Sequence, residues 1–126
     1  VQAAASAGDF TEGERLAREF LRARPQETLL YDVLYRELVR TQRIADAEAV
    51  RLAQTQSNPQ SLGAWLSLAS HYRRFGPPSK VDTVLQPLVE DPKLPDALLA
   101  VGDFYQQSGD LEAALRHYQL GEQKFP

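Results

Sequence analysis

The chain has 126 residues, 43% of them hydrophobic and 25% charged, with a net charge of −3, which places it among ordinary globular proteins and away from disordered ones. It contains no cysteine, so disulfides, thiolate metal ligands and a thiol nucleophile are excluded together. Residues 1–74 hold ten basic and nine acidic side chains, and residues 75–126 hold four and eight; with no finger or RNP signature this is not the basic footprint that neutralises a nucleic-acid backbone.

The helix formers Ala, Leu, Gln, Glu and Arg dominate while Ile and Thr are scarce, so the intrinsic lean is toward an all-α fold. No apolar stretch approaches the roughly 18 residues needed to cross a bilayer, and no charged n-region with an apolar h-region opens the chain. Membrane insertion is therefore not expected. A chain that begins at valine and holds no methionine is expected to be a piece of a longer protein, and its compartment is left open.

Pro25, Pro59, Pro92 and Pro126 are separated by 34, 33 and 34 residues, a period that signals a repeat architecture. Residues 1–25 form the first, incomplete interval. Its "AGDFTEGERLAREFLRARP" aligns with "SGDLEAALRHYQLGEQKFP" at the end of the chain, so Gly8-Asp9 is expected to mark a turn and 1–25 to be the back half of a unit. The intervals 26–59, 60–92 and 93–126 each predict a helix of about 14 residues, a polar break and a second helix. The breaks are "RTQRIAD", "RFGPPSK" and "QSGDLEA".

In the 26–59 interval the pattern is Tyr31-x-x-Leu34-Tyr35-x-x-Leu38, then Ala47-x-x-x-Arg51. Gln42 stands where glycine would best serve the turn, which predicts a shift of a residue or two in these boundaries. In 60–92 it is Trp65-x-x-Leu68-Ala69-x-x-Tyr72, Gly76, then Val81-x-x-x-Leu85. Pro78 suits a helix start, whereas Pro87 should remove one backbone hydrogen bond and kink or shorten a helix over about 79–91. In 93–126 it is Leu98-x-x-Val101-Gly102-x-x-Tyr105, the break Gly109-Asp110, then Ala114-x-x-x-Tyr118 and Pro126. Positions i, i+3, i+4 and i+7 share a helix face, and the small Gly102 admits a close neighbour. Gly109 favours the left-handed conformation that closes a helix, and Asp110 can cap the next.

These marked positions resemble the tetratricopeptide repeat pattern in three full units and one leading half, over the whole chain. A plain helical bundle would also show leucines and aromatics at helical spacing. The turn residue, small residue and terminal proline kept in register favour repeats. The resemblance implies antiparallel helix-turn-helix units stacked in a right-handed superhelical solenoid, a single domain without catalytic activity that serves as a scaffold or adaptor.

No phosphate-binding loop, HExxH or calcium loop occurs, and only His71 and His117 could act as neutral-pH acid or base. Both sit in helical stretches beside Tyr72 and Tyr118, where packing or a hydrogen bond is the simpler role. No metal, cofactor or catalytic residue is expected.

The resemblance implies a concave groove lined by the first helix of each unit, which binds a peptide or partner helix. The residues it assigns there are Val33, Arg36 and Arg40; Leu66, Ser70, Arg73 and Arg74; and Leu99, Asp103 and Gln106. Four arginines among them fit an acidic protein or peptide partner, or else a solvated face neutralised by Asp32 or Glu37. The lysine and asparagine clamp of chaperone-binding members is not matched, since Asp32, Arg36, Ser67 and Ala100 stand in its place. The alternative use is self-association, or packing on other parts of a parent chain, through open ends bearing Leu111, Leu115, Leu120 and Phe125.

Overall fold

A computed structural model describes the backbone of residues 2–124 and the side chains of residues 11–124. The chain is all-α. The described residues form seven helices and no strand: α1 (Gln2–Ala23), α2 (Thr28–Arg40), α3 (Ile44–Ser57), α4 (Leu62–Phe75), α5 (Ser79–Glu90), α6 (Ala97–Gln107) and α7 (Leu111–Lys124). Helices adjacent in sequence pack on each other as pairs, α2 with α3, α4 with α5 and α6 with α7. The chain divides into two compact units, Val1–Asn58 and Pro59–Pro126.

In the first unit α1 lies against α2, and the core is Leu21, Tyr31, Leu34, Leu38, Ala47 and Val50. Tyr31, Leu34 and Leu38 follow the i, i+3, i+7 rhythm that points one stripe of α2 inward. Leu38 is fully buried, a site where burial contributes about 1.5–3 kcal/mol. In the second unit α6 packs against both α4 and α5. Leu68, Ala69, Tyr72, Val81, Leu85, Val101 and Tyr105 are part of its core, as the marked pattern predicts.

The first interval departs from expectation. Helix α1 runs unbroken through Gly8-Asp9, so no turn occurs there. The run Gln2-Ala-Ala-Ala-Ser-Ala ahead of it supplies strong helix formers, and against them one internal glycine costs only about 1 kcal/mol. The side chain of Phe10 and the residues Phe125 and Pro126, which the sequence reading also used, lie outside the described residues.

The turn after α2 and the turn after α6 share one geometry. The Arg43 amide donates to the Leu38 carbonyl (2.8 Å) and the Gln42 amide to Val39 (3.0 Å); the Asp110 amide donates to Tyr105 (2.9 Å) and the Gly109 amide to Gln106 (3.0 Å). Both are paired 6→1 and 5→2 closures that satisfy the last carbonyls of a helix. They require a left-handed residue, which is Gly109 (φ 85°) in one and Gln42 (φ 63°) in the other. Gln42 thus takes the glycine conformation, and the 14-residue length of α3 equals that of α7, so no boundary shift results. Asp110 Oδ1 accepts the Ala113 amide at 3.1 Å, the expected cap.

Pro78 stands at the start of α5, where its carbonyl accepts the Val81 amide (3.0 Å). Pro87 lies inside α5, which has 12 residues where α3 and α7 have 14. Two of the periodic prolines also offer carbonyls to side chains: Pro25 accepts Asn58 Nδ2 and Pro59 accepts Trp65 Nε1, each at 2.8 Å.

Candidate functional site

With Tyr31, Leu34 and Leu38 turned inward, Leu29, Val33, Arg36 and Arg40 fall on the opposite face of α2 and are exposed. The structure therefore brings the three groove residues assigned to this unit onto one surface. Beside them, between α1 and α2, is a groove of about 590 Å³. Its floor is the half-buried Ala17 and Leu30 with the buried Leu34, and its walls are the exposed Leu16, Phe20, Leu29 and Val33. Glu14, Glu27 and Glu37 also line it. Leu29 is 76% exposed and Val33 50%, so this apolar surface is left open by the described residues.

Arginine availability differs from what composition suggests. Arg40 grips Glu37 on its own helix (Nη2 to Oε2, 2.6 Å), and that hydrogen bond holds the Glu37 carboxyl below its ordinary pKa. Arg36 is exposed and joins no ion pair among the described residues. Arg51 is buried, with its guanidinium carbon 4.1 Å from the centre of the Tyr35 ring and Nη1 on Asp32 Oδ1 (2.9 Å) and Gln54 Oε1 (3.0 Å). Its Nε is buried without a partner. Asp32 thus answers Arg51 within the unit.

In the second unit Arg73 reaches from α4 to α6: Nη1 donates to Ser108 Oγ at 2.6 Å, and the guanidinium sits 5.3 Å from the Phe104 ring centre. Arg74 lies 4.8 Å over Phe75 on its own helix. Leu66 and Ser70 are half-buried, Leu66 against the core. On α6, Asp103 and Gln106 share the hydroxyl of Tyr118 from α7, at 2.5 and 3.0 Å. The bond to Asp103 holds the Tyr118 hydroxyl above its ordinary pKa. Leu99 is exposed and lines a second cavity of about 560 Å³ with Pro95, Leu115 and Tyr118. Of the residues assigned to a groove in this unit, Arg73, Asp103 and Gln106 are therefore occupied by internal partners, while Leu99 is open.

Both histidines are buried. His117 stacks on Tyr105 (ring centres 5.2 Å, planes 21° apart) and places Nδ1 2.7 Å from the Ala113 carbonyl, so Nδ1 carries the proton. His71 packs against Tyr72 and Phe75. The Tyr105 hydroxyl donates to Asp82 Oδ1; burial first, and that bond second, push its pKa up. Among the described residues no three His, Cys, Asp or Glu side chains gather as a metal site, and no helix is long and apolar enough to cross a membrane.

Sequence reasoning missed Leu16 and Phe20, whose i, i+4 spacing on the first helix was the available signal. It also missed the Tyr118 anchor, which no spacing rule announces. No protein-family model matches the chain, and no curated protein matches it at a significant level.

Proposed function

We propose that the chain is a non-enzymatic interaction module of tetratricopeptide-like helical pairs, stacked as a solenoid, that takes an apolar segment of a partner protein. One observation carries this reading: the open apolar groove between α1 and α2, walled by Leu16, Phe20, Leu29 and Val33. Monomeric proteins seldom leave such contiguous apolar surface without a use, and a helix or extended peptide laid along it buries side chains spaced i, i+4 on both walls. Arg36, exposed beside the groove, is suited to a carboxylate flanking the partner's apolar residues.

The test is selection from a displayed peptide library against the folded chain, followed by NMR mapping of the bound peptide. The expected peptides carry two or three apolar anchors, shift the amides of residues 13–37 and lose affinity at least about tenfold with Val33→Asp. Peptides that bind elsewhere and ignore Val33→Asp, or no binders at all, overturn the reading.

A further inference from the structure

Glu14, Glu48 and Asp82 recur at intervals of 34 residues along the second helices of the repeats, and the next equivalent position, 33 residues on, is Leu115. Where the following pair belongs to the same compact unit, the carboxylate binds it: Glu14 Oε2 takes Arg43 Nη1 at 2.6 Å, and Asp82 takes the Tyr105 hydroxyl. Leu115 can accept neither kind of donor. It is 58% exposed, beside Leu111 and Leu99 at 62% and 58%.

We propose that the α6–α7 face is a homodimer interface, in which α7 pairs antiparallel with α7 of a second copy across a two-fold axis. Three observations choose this occupant. A further helical pair of this chain's own type would bring a tyrosine or arginine donor to Leu115 and leave it buried without a partner, at a cost. A two-fold pairing sets this position near its own copy, where two carboxylates would repel and two leucines bury apolar surface. Glu112 and Arg116 lie one turn apart on the same flank of the leucine stripe, both exposed and both outside any ion pair among the described residues.

In an antiparallel pair equivalent flanks face each other. With the axis level with residues 113 and 114, Leu111 meets Leu115 of the second copy and each Glu112 stands beside Arg116 of the other. Asp96 and Glu122 also line the Leu99–Leu115 cavity. Their repulsion disfavours registers that slide the C-terminal halves of α7 together.

Sedimentation velocity of the whole chain from about 1 to 500 μM is the test, with circular dichroism and thermal unfolding to verify each variant's fold. The expected result is a concentration-dependent dimer. Leu115→Glu, an exposed position, weakens it at least about 100-fold, consistent with a buried central anchor. Glu112→Arg and Arg116→Glu each weaken it about threefold to tenfold, and the double reversal restores it. A monomer over the whole range, or a dimer indifferent to Leu115→Glu, overturns the interface. A dimer that loses affinity with both single reversals but is not rescued by the double overturns the antiparallel pairing.

Discussion

Tyr118 fills the space that a side chain at Gly102 would need: a Cβ on Gly102 would stand 2.6 Å from Tyr118 Cε1. The same pair of positions is filled differently in each helical pair, as Gly102 with Tyr118, Ala69 with Leu85, and Tyr35 with Arg51. Tyr118 faces Gly102, Ala69 and Leu85 lie in one core, and in the third pair an aromatic ring takes a guanidinium. Gly102→Ala should push the Tyr118 ring out and loosen its hydroxyl from Asp103 and Gln106. A loss of about 1–3 kcal/mol is expected, as for other overpacked sites, read by urea denaturation. An unchanged midpoint would refute the close packing.

The left-handed Gln42 stores strain that glycine would release. An L-residue in that region costs roughly 1–2 kcal/mol, offset in part by glycine's freer unfolded chain. Gln42→Gly should therefore stabilise the chain by about 0.5–1 kcal/mol, seen as a higher thermal midpoint. Gly76 is stricter, because φ 83° with ψ 174° lies in a region essentially confined to glycine. Gly76→Ala should cost about 1–3 kcal/mol.

Arg51 is held by Asp32, Gln54 and the Tyr35 ring, yet its Nε lacks a partner. Removing one member of such a pair exposes the desolvation cost of the other. Asp32→Ala should cost about 1–2 kcal/mol, since Asp32 retains partial contact with water. Arg51→Leu should cost less than Asp32→Ala, because it removes the buried charge together with its need for a partner. The reverse order, measured by chemical denaturation of both variants, would show that the guanidinium stabilises this unit in its own right.

The Glu14 carboxyl is held below its ordinary value, chiefly by the hydrogen bond from Arg43. A folded-state pKa below the unfolded one gives stability that is present above the unfolded value near 4.5 and lost as pH falls through the folded value. Glu14→Gln should remove about 0.5–1 kcal/mol at pH 7 and have a smaller effect at an acid pH below the folded-state value, where Glu14 is protonated and, like glutamine, uncharged. Unfolding free energies at the two pH values should converge; equal differences at both would assign the effect to packing.

Much of this architecture was legible because local chemistry and packing agree. Tyr31, Leu34 and Leu38, and Leu98, Val101 and Tyr105, carry both the helical period and the buried stripe. Gly76 and Gly109 end their helices where only positive φ closes them. Gly8-Asp9 misled because it copies Gly109-Asp110 in letters while Ala-rich neighbours carry the helix through. The site was harder to read, since a face assignment does not say which side chains are already spoken for. Arg73 with Ser108 and Asp103 with Tyr118 are matched across different helices, and only folding brings those partners within reach.

That distinction yields a sharper expectation for the arginines. Arg73 bridges α4 and α6 through Ser108 and Phe104, so Arg73→Ala should lower stability by about 0.5–1.5 kcal/mol and leave binding at the α1–α2 groove unaltered. Arg36 has no such internal partner, so Arg36→Glu should leave stability within about 0.5 kcal/mol. It should weaken an acidic-flanked peptide in that groove by about threefold to tenfold at low salt, with the difference shrinking as ionic strength rises. Titration of one peptide into the parent chain and both variants at two salt concentrations separates the roles. A peptide that discriminates against Arg73→Ala but not Arg36→Glu would move the binding site away from α2, because Arg36, unlike Arg73, shares that helix's exposed face with Leu29 and Val33.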